Sequence, residues 1–245
     1  RSDSAGKIEE LDPIKKIVLL RKGISKNDKA LPNILSIGDK PPKASRYTNL
    51  NLNIYKYCED ILQNHNTYKA ITSLLVKDFP NIKGVKLGEK IIKNDDFEKE
   101  IPKTLLNLNN SYLFCQGPPG TGKTFQASSA IVELMRNKKT IAVTANSHKV
   151  IHNLLEQIEI LAEEKKFNFS GLKKGNKDDE ETYFNGNFVV TATDDRPFLN
   201  GLHEKSVQLY AGTKYHLSNA YYHQKIDYLF VDEAGQMNIT DIIAI

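Results

Sequence analysis

The sequence predicts an α/β fold, with a parallel sheet flanked by helices, over residues 101–245 of this 245-residue chain. Short apolar runs alternate there with amphipathic segments, as in strands joined by right-handed crossovers. A glycine-rich loop, residues 117–124, lies between an apolar run and a helical segment. A later apolar run, residues 226–231, ends in two acidic residues. Because ligands bind at the carboxyl ends of parallel strands, these observations predict a ligand site at that edge.

Composition places the chain among ordinary globular proteins, with 40% apolar and 26% charged residues. The net charge of +4 permits a nucleic-acid partner but does not require one. No apolar run is long enough to span a membrane, and the first residues lack the apolar core of a signal peptide. Cys58 and Cys115 lack the spacing of a zinc or iron–sulfur site. We therefore expect reduced thiols and a cytoplasmic protein that does not bind membranes.

Residues 1–100 are predicted to form an irregular and helical flank that precedes the sheet domain. Residues 14–20 fit either a short helix or a strand, and glycines and prolines then interrupt the pattern. Between residues 52 and 76, apolar residues at helical spacing predict two helices that separate near residues 64–66.

The first elements of the sheet domain have clear local signals. Residues 103–108 indicate a short helix, and the apolar run 112–115 indicates a buried strand that would bury Cys115. A helix is expected to follow the glycine-rich loop as far as Arg136, and a strand over residues 140–144 follows it.

The next helix is expected to be capped by Asn146 or Ser147, with an apolar stripe opposite Glu156, Glu159 and Glu163. Further strands are predicted at 188–192, 207–211 and 226–231. Residues 165–187 are polar, which predicts a solvated surface insertion. The alternative is a flexible basic element that touches nucleic acid.

The loop fits the pattern G-x-x-x-x-G-K-[ST] of a phosphate-binding P-loop. Glycines let the backbone turn its N–H groups inward, and the following helix N-terminus adds partial positive charge. Lys123 is expected to reach the β- and γ-phosphates, and the Thr124 hydroxyl to bind Mg²⁺. The predicted nucleotide-binding residues are Gly117, Pro118, Pro119, Gly120, Thr121, Gly122, Lys123 and Thr124.

The acidic pair supplies the second half of the predicted site. Asp232 is expected to hold Mg²⁺, directly or through water, and Glu233 to orient and deprotonate the attacking water. A glutamate after the metal-holding aspartate favours hydrolysis of ATP, since water is then the acceptor.

Three strings occur in an informative order: residues 117–124, Thr144 to Lys149, and Asp232 to Gln236. Together they resemble motifs I, Ia and II of superfamily 1 helicases, in the branch that contains the nonsense-mediated-decay RNA helicase and the replication nuclease–helicase. Within that branch the strings look most like bacterial ATPases fused to a RecB-like nuclease. The resemblance covers residues 101–245 and implies the first RecA-like domain of such a motor, with ATP and Mg²⁺ as ligands.

The resemblance also implies roles for further residues. Gln236 would sense the γ-phosphate and couple hydrolysis to domain movement. Single-stranded nucleic acid is the implied partner, with DNA favoured over RNA, and a nuclease domain is implied as a fused or separate partner. The implied nucleic-acid contacts are Thr144, Asn146, Ser147 and Thr213, with His148 and Lys149 as additional phosphate contacts.

The sequence stops shortly after Gln236, so we expect a fragment that lacks motifs III to VI and the second RecA-like domain. Such a fragment is expected to bind nucleotide, hydrolyse it weakly and unwind nothing. No adenine-reading glutamine is evident before the loop. Two alternatives remain: an ATP-dependent switch or AAA-type ATPase without unwinding activity, and a nucleic-acid-binding fragment with a vestigial ATPase.

Overall fold

The computed structural model describes residues 7–12, 17–21, 48–118 and 120–245. The chain divides into two compact units, Arg1–Lys43 and Ala44–Ile245.

In the first unit, strands β1 (Lys7–Asp12) and β2 (Ile17–Arg21) form an antiparallel hairpin. The element predicted at residues 14–20 is therefore a strand where the structure describes it. The remaining predictions for residues 1–47 lie outside the described residues.

Two helices open the second unit, as the apolar spacing predicts: α1 (Thr48–Leu62) and α2 (Lys69–Leu75). The Asn53 side chain of α1 donates hydrogen bonds to the carbonyls of Ser218, at 2.9 Å, and Ala244, at 2.8 Å. These long-range bonds attach α1 to two segments of the last thirty residues, one of them at the end of the chain. The two compact units divide between residues 43 and 44. The domain boundary near residue 100 stays a prediction.

The second unit contains a five-stranded sheet in the order β5-β4-β6-β3-β7, and every pairing in it is parallel. Helices flank the sheet, so the predicted RecA-like α/β architecture is confirmed. The strands are β3 (Ile141–Thr144), β4 (Gly171–Lys174), β5 (Val189–Ala192), β6 (Leu209–Ala211) and β7 (Tyr228–Val231).

The remaining helices are α3 (Phe97–Leu106), α4 (Lys123–Arg136), α5 (His148–Glu164), α6 (Arg196–Glu204), α7 (Lys214–Leu217) and α8 (Ile239–Ile243). Ile131 of α4 and Ile158 of α5 are fully buried in the larger core cluster with Val143 of β3. Ala142 belongs instead to a second cluster around Phe198. Because neighbouring strand residues face opposite ways, β3 is covered on both faces. In the part of the chain described, no helix is both long and apolar enough to cross a membrane.

The polar segment 165–187 is not the solvated insertion that its charges predict. It contributes β4, an interior strand of the sheet, and Lys173 on that strand is fully buried. Phe169 and Phe184 in the same segment are buried as well. The prediction of a solvated insertion rested on the charges of the segment and was wrong. A lysine within a strand can bury its long stem against apolar neighbours.

The run 112–115 forms no strand, and Cys115, which was predicted to be buried, is exposed. The neighbouring Phe114 is 62% exposed. Residues just before the P-loop bond instead to an earlier loop: the Tyr112 hydroxyl donates to the Asp78 carbonyl at 2.7 Å. A strand needs a hydrogen-bonded neighbour as well as apolar side chains. Among the described residues β7 pairs only with β3, so residues 112–115 do not pair with the other edge of β7.

Candidate functional site

The P-loop curls because two of its glycines adopt left-handed backbone conformations. Gly120 has φ +78° and Gly122 has φ +77°, and Gly122 is the residue that precedes α4. Gly117 is needed for a different reason, since a Cβ there would lie 2.8 Å from the Thr121 hydroxyl oxygen. That hydroxyl donates to the Pro118 carbonyl at 2.8 Å, which closes the loop. Pro119, a predicted nucleotide contact, lies outside the described residues.

Lys123 starts α4 and folds back over the loop. Its ammonium group donates to the carbonyls of Gly117, at 2.8 Å, and Pro118, at 2.7 Å. An ammonium has three N–H donors, so one remains for an anion above the loop. The first N–H groups of α4 have no partner within the helix, which makes this end of the 14-residue helix electropositive.

The acidic pair follows β7 at the carboxyl edge of the sheet. The Asp232 main-chain N–H donates to the Thr144 carbonyl at 2.9 Å, which continues the β3–β7 pairing beyond the strands. The Asp232 carboxylate accepts from the Glu233 N–H at 2.9 Å. Glu233 is exposed and has φ +51°, a left-handed conformation that is costly for a residue with a Cβ.

Gln236 closes a single 3-10 turn, Ala234–Gln236, and its side chain is exposed. Its main-chain carbonyl accepts a hydrogen bond from the side-chain amide of Asn146, a residue that follows β3. The structure thus joins two of the predicted motifs directly. Among the described residues, no hydrogen bond or ion pair links Lys123 or Thr124 to the acidic pair.

The predicted nucleic-acid residues differ in accessibility. Asn146 and Ser147 are exposed, and Ser147 caps α5 by accepting a bond from the Val150 N–H at 3.3 Å. Thr213 is half-buried, between β6 and α7. Thr144 is fully buried, and its hydroxyl has no hydrogen-bond partner among the described residues. Its side chain is therefore inaccessible to a bound strand in this conformation.

His148, the first residue of α5, rests against the buried Lys173. The two side-chain nitrogens, His148 Nδ1 and Lys173 Nζ, are 3.0 Å apart. Burial, with the nearby lysine, lowers the pKa of His148 to about 4, so the imidazole is neutral at pH 7 and accepts the lysine N–H. Burial also lowers the pKa of Lys173 to about 8. An open cavity of about 490 Å³ lies beside this pair and is lined by Ser147, His148 and Lys149, among others.

Residues 173–177 form a basic patch in the polar segment, and its other two lysines are engaged within the protein. Lys174 pairs with Asp195 at 2.6 Å, and Lys177 pairs with Asp194 at 3.0 Å. These pairs tie the end of β4 to the loop after β5. The patch is therefore largely neutralised, which leaves less free positive charge than its sequence suggests.

The donor set suits Mg²⁺ better than a tightly bound transition metal. Within the described residues, no three His, Cys, Asp or Glu side chains form a metal cluster. The predicted ligands are one hydroxyl, Thr124, and one carboxylate, Asp232. Mg²⁺ is commonly held by one or two carboxylates, with phosphate oxygens and waters completing the octahedron.

Lys173 is the residue of this region that sequence reasoning missed. The sequence signal was short, because only Phe167 and Phe169 alternate with polar residues at the period of two that is typical of a strand. The bond from Asn146 to Gln236 had no comparable signal, since the two residues are 90 positions apart in the sequence.

Comparison with known proteins identifies one family. The family described as "Type III restriction enzyme, res subunit" matches residues 68–241, which is more than half of the chain. No curated protein matches the chain.

Proposed function

We propose that this chain, which belongs to the type III restriction enzyme res-subunit family, is the ATP-hydrolysing motor domain of a nucleic-acid helicase or translocase. Family membership supports a helicase-type P-loop domain.

One observation carries the proposal: Lys123 stands at the N-terminus of α4 over a left-handed glycine loop. Its carbonyl partners, Gly117 and Pro118, belong to the loop itself, so the ammonium is already held where a terminal phosphate would enter. On ATP binding, Lys123 exchanges these carbonyls for β- and γ-phosphate oxygens. The N–H groups of the loop and helix cradle the same phosphates.

Hydrolysis in this proposal is divided between Glu233 and its neighbours. Glu233 takes a proton from the attacking water, whose oxygen bonds to the γ-phosphorus as the bond to the bridging oxygen breaks. Thr124 and Asp232 would hold Mg²⁺, which would supply positive charge to neutralise the phosphate oxygens. Gln236, on the turn after β7, senses whether the γ-phosphate is present.

The proposed nucleic-acid track runs along the same edge of the sheet. Asn146 and Ser147 are exposed at the start of α5, where an amide, a hydroxyl and helix N–H groups offer donors to backbone phosphates. Lys149 adds an exposed positive charge beside them. Thr213, after β6, extends this track, and Thr144 joins it only if its side chain becomes accessible.

The finer proposal assigns the chain to the superfamily 1 branch with a fused or partner nuclease, acting on single-stranded DNA rather than RNA. It rests on the three motif strings alone, because the matched family is superfamily 2-like. A second RecA-like domain would supply the arginine finger, a group that raises the turnover rate by a factor of roughly 10³–10⁵ in related chemistry.

Two substitutions test the nucleotide chemistry by separating binding from hydrolysis. Lys123→Ala removes the phosphate-binding ammonium, so we expect loss of Mg-ATP binding, measured with a fluorescent ATP analogue. Glu233→Gln keeps the fold and the phosphate site, so we expect binding to persist while phosphate release falls by roughly 10²–10⁴-fold.

Lys69→Ala and Glu156→Gln are matched controls, because both side chains are exposed and lie outside the proposed site. Both controls are expected to bind and hydrolyse as the unmodified chain does. Unchanged Mg-ATP binding by Lys123→Ala would refute the assignment of the loop.

A further inference from the structure

The turn that carries Glu233 and Gln236 is fixed at both ends by atoms from the end of β3. At its start, the Asp232 N–H donates to the Thr144 carbonyl at 2.9 Å. At its end, the Asn146 side-chain amide donates to the Gln236 carbonyl. Residues 144–146 therefore act as a frame for residues 232–236.

Between these anchors the turn has little support of its own. It is one 3-10 turn, closed by the Gln236 N–H donating to the Glu233 carbonyl at 2.8 Å. Glu233 holds a left-handed conformation, which persists only where surrounding contacts determine it. The next residue with a buried side chain is Met237, at the far end of the turn. Among the described residues, loss of the Asn146 bond thus removes the only hydrogen bond that a side chain from outside the turn makes to residues 232–236.

Asn146 has unused hydrogen-bonding capacity that faces outward. Its amide offers two N–H donors and an oxygen acceptor, and the Gln236 carbonyl takes one donor. The side chain is exposed, and its second N–H and its oxygen have no protein partner among the described residues. One amide can therefore hold the turn and bind an external acceptor, such as a phosphate oxygen, at the same time.

We propose that Asn146 is the positioning residue through which bound single-stranded nucleic acid stimulates ATP hydrolysis. A nucleic-acid strand that immobilises the Asn146 amide also immobilises the Gln236 carbonyl. It thereby fixes the orientation of Glu233 on the same turn. The inference rests on the proposed function, since it assigns a regulator to the hydrolytic site described above. Asn146 acts through the turn and does not touch the nucleotide.

The test measures ATP hydrolysis by the full chain against increasing concentrations of a single-stranded DNA oligonucleotide, and in parallel an RNA oligonucleotide. Asn146→Asp keeps the side-chain shape but removes both donors. We expect its maximal stimulation, at saturating nucleic acid, to fall at least about fivefold, the lower end of typical coupling between sites. We expect the KM for ATP to stay within about twofold, because the P-loop is unchanged.

Three further variants separate positioning from other effects. Asn146→Ala removes the amide without adding charge and must show the same loss. Asn153→Asp makes the same chemical change at an exposed position of α5 and must behave as the unmodified chain does. Lys149→Ala removes a neighbouring phosphate contact, so it must raise the concentration for half-maximal stimulation while leaving the maximum unchanged.

Wild-type maximal stimulation in Asn146→Asp and Asn146→Ala, reached at higher nucleic-acid concentration, would make Asn146 a contact only and overturn the inference. A raised KM for ATP at unchanged kcat would also overturn it, because the effect would then lie in the nucleotide pocket. If the unmodified chain shows no Lys123-dependent hydrolysis under any condition, the proposed function fails as well. Hydrolysis that depends on Lys123 but ignores nucleic acid overturns the coupling and leaves the nucleotide chemistry standing.

Discussion

Glu159 of α5 provides a prediction whose magnitude follows from three hydrogen bonds. The sequence places this residue on the solvent side of the helix, yet its carboxylate is buried. One carboxylate oxygen accepts the main-chain N–H groups of Phe188, at 2.9 Å, and Val189, at 2.8 Å. The other accepts the N–H of Asn187 at 2.9 Å. Glu159 thereby fixes the chain as it enters β5.

Glu159→Gln changes little in shape but cannot satisfy all three donors. The glutamine oxygen still accepts two N–H groups, while its amide nitrogen faces the N–H of Asn187. An unsatisfied buried donor costs about 1–3 kcal/mol, and the two remaining bonds lose their charge assistance. We therefore expect a loss of about 3 kcal/mol in the free energy of unfolding, or about 6–12 °C in Tm for a chain of this size.

Thermal unfolding followed by circular dichroism measures this loss. Glu156→Gln is the matched control, because Glu156 lies on the same helix but is exposed. We expect its Tm to stay close to that of the unmodified chain. If the two variants melt at the same temperature, the carboxylate does not hold β5 and the reasoning is wrong.

Two further predictions concern Lys173 and the P-loop. Because burial lowers the pKa of Lys173 to about 8 from 10.5, the unfolded chain binds more protons between these values, and stability attributable to Lys173 rises with pH across them. Lys173→Met should abolish that rise when urea unfolding is compared at about pH 7.5 and about pH 10. An identical rise in the variant would contradict the prediction. Gly117→Ala places a Cβ against the Thr121 hydroxyl, so we expect loss of Mg-ATP binding with little change in Tm, and wild-type affinity would contradict the loop geometry.

Local signals predicted much of the sheet domain. The helix after the P-loop, the Ser147 cap and the strand that precedes Asp232 each depend on a few adjacent residues, and the structure contains all three. These three predictions are correct because side-chain period, capping and glycine conformation depend on residues within one or two turns of each other.

The elements that the sequence did not predict depend on distant partners. Residues 112–115 are apolar enough for a strand but have no hydrogen-bonded neighbour. The strand β4 was obscured by its lysines, one of which is buried against His148. Glu159 is drawn inward by main-chain donors about thirty residues later, at Phe188 and Val189. A tertiary contact that reverses the local preference leaves no trace in the neighbouring sequence.

The central claim is that this chain is a nucleic-acid-responsive ATPase whose P-loop lysine is Lys123. The most direct measurement is phosphate release from Mg-ATP by the full chain, without nucleic acid and with single-stranded DNA or RNA, beside Lys123→Ala. We predict hydrolysis that rises when a single strand is added and is absent from Lys123→Ala under every condition. A rate that neither nucleic acid changes, or one that Lys123→Ala retains, would contradict the claim.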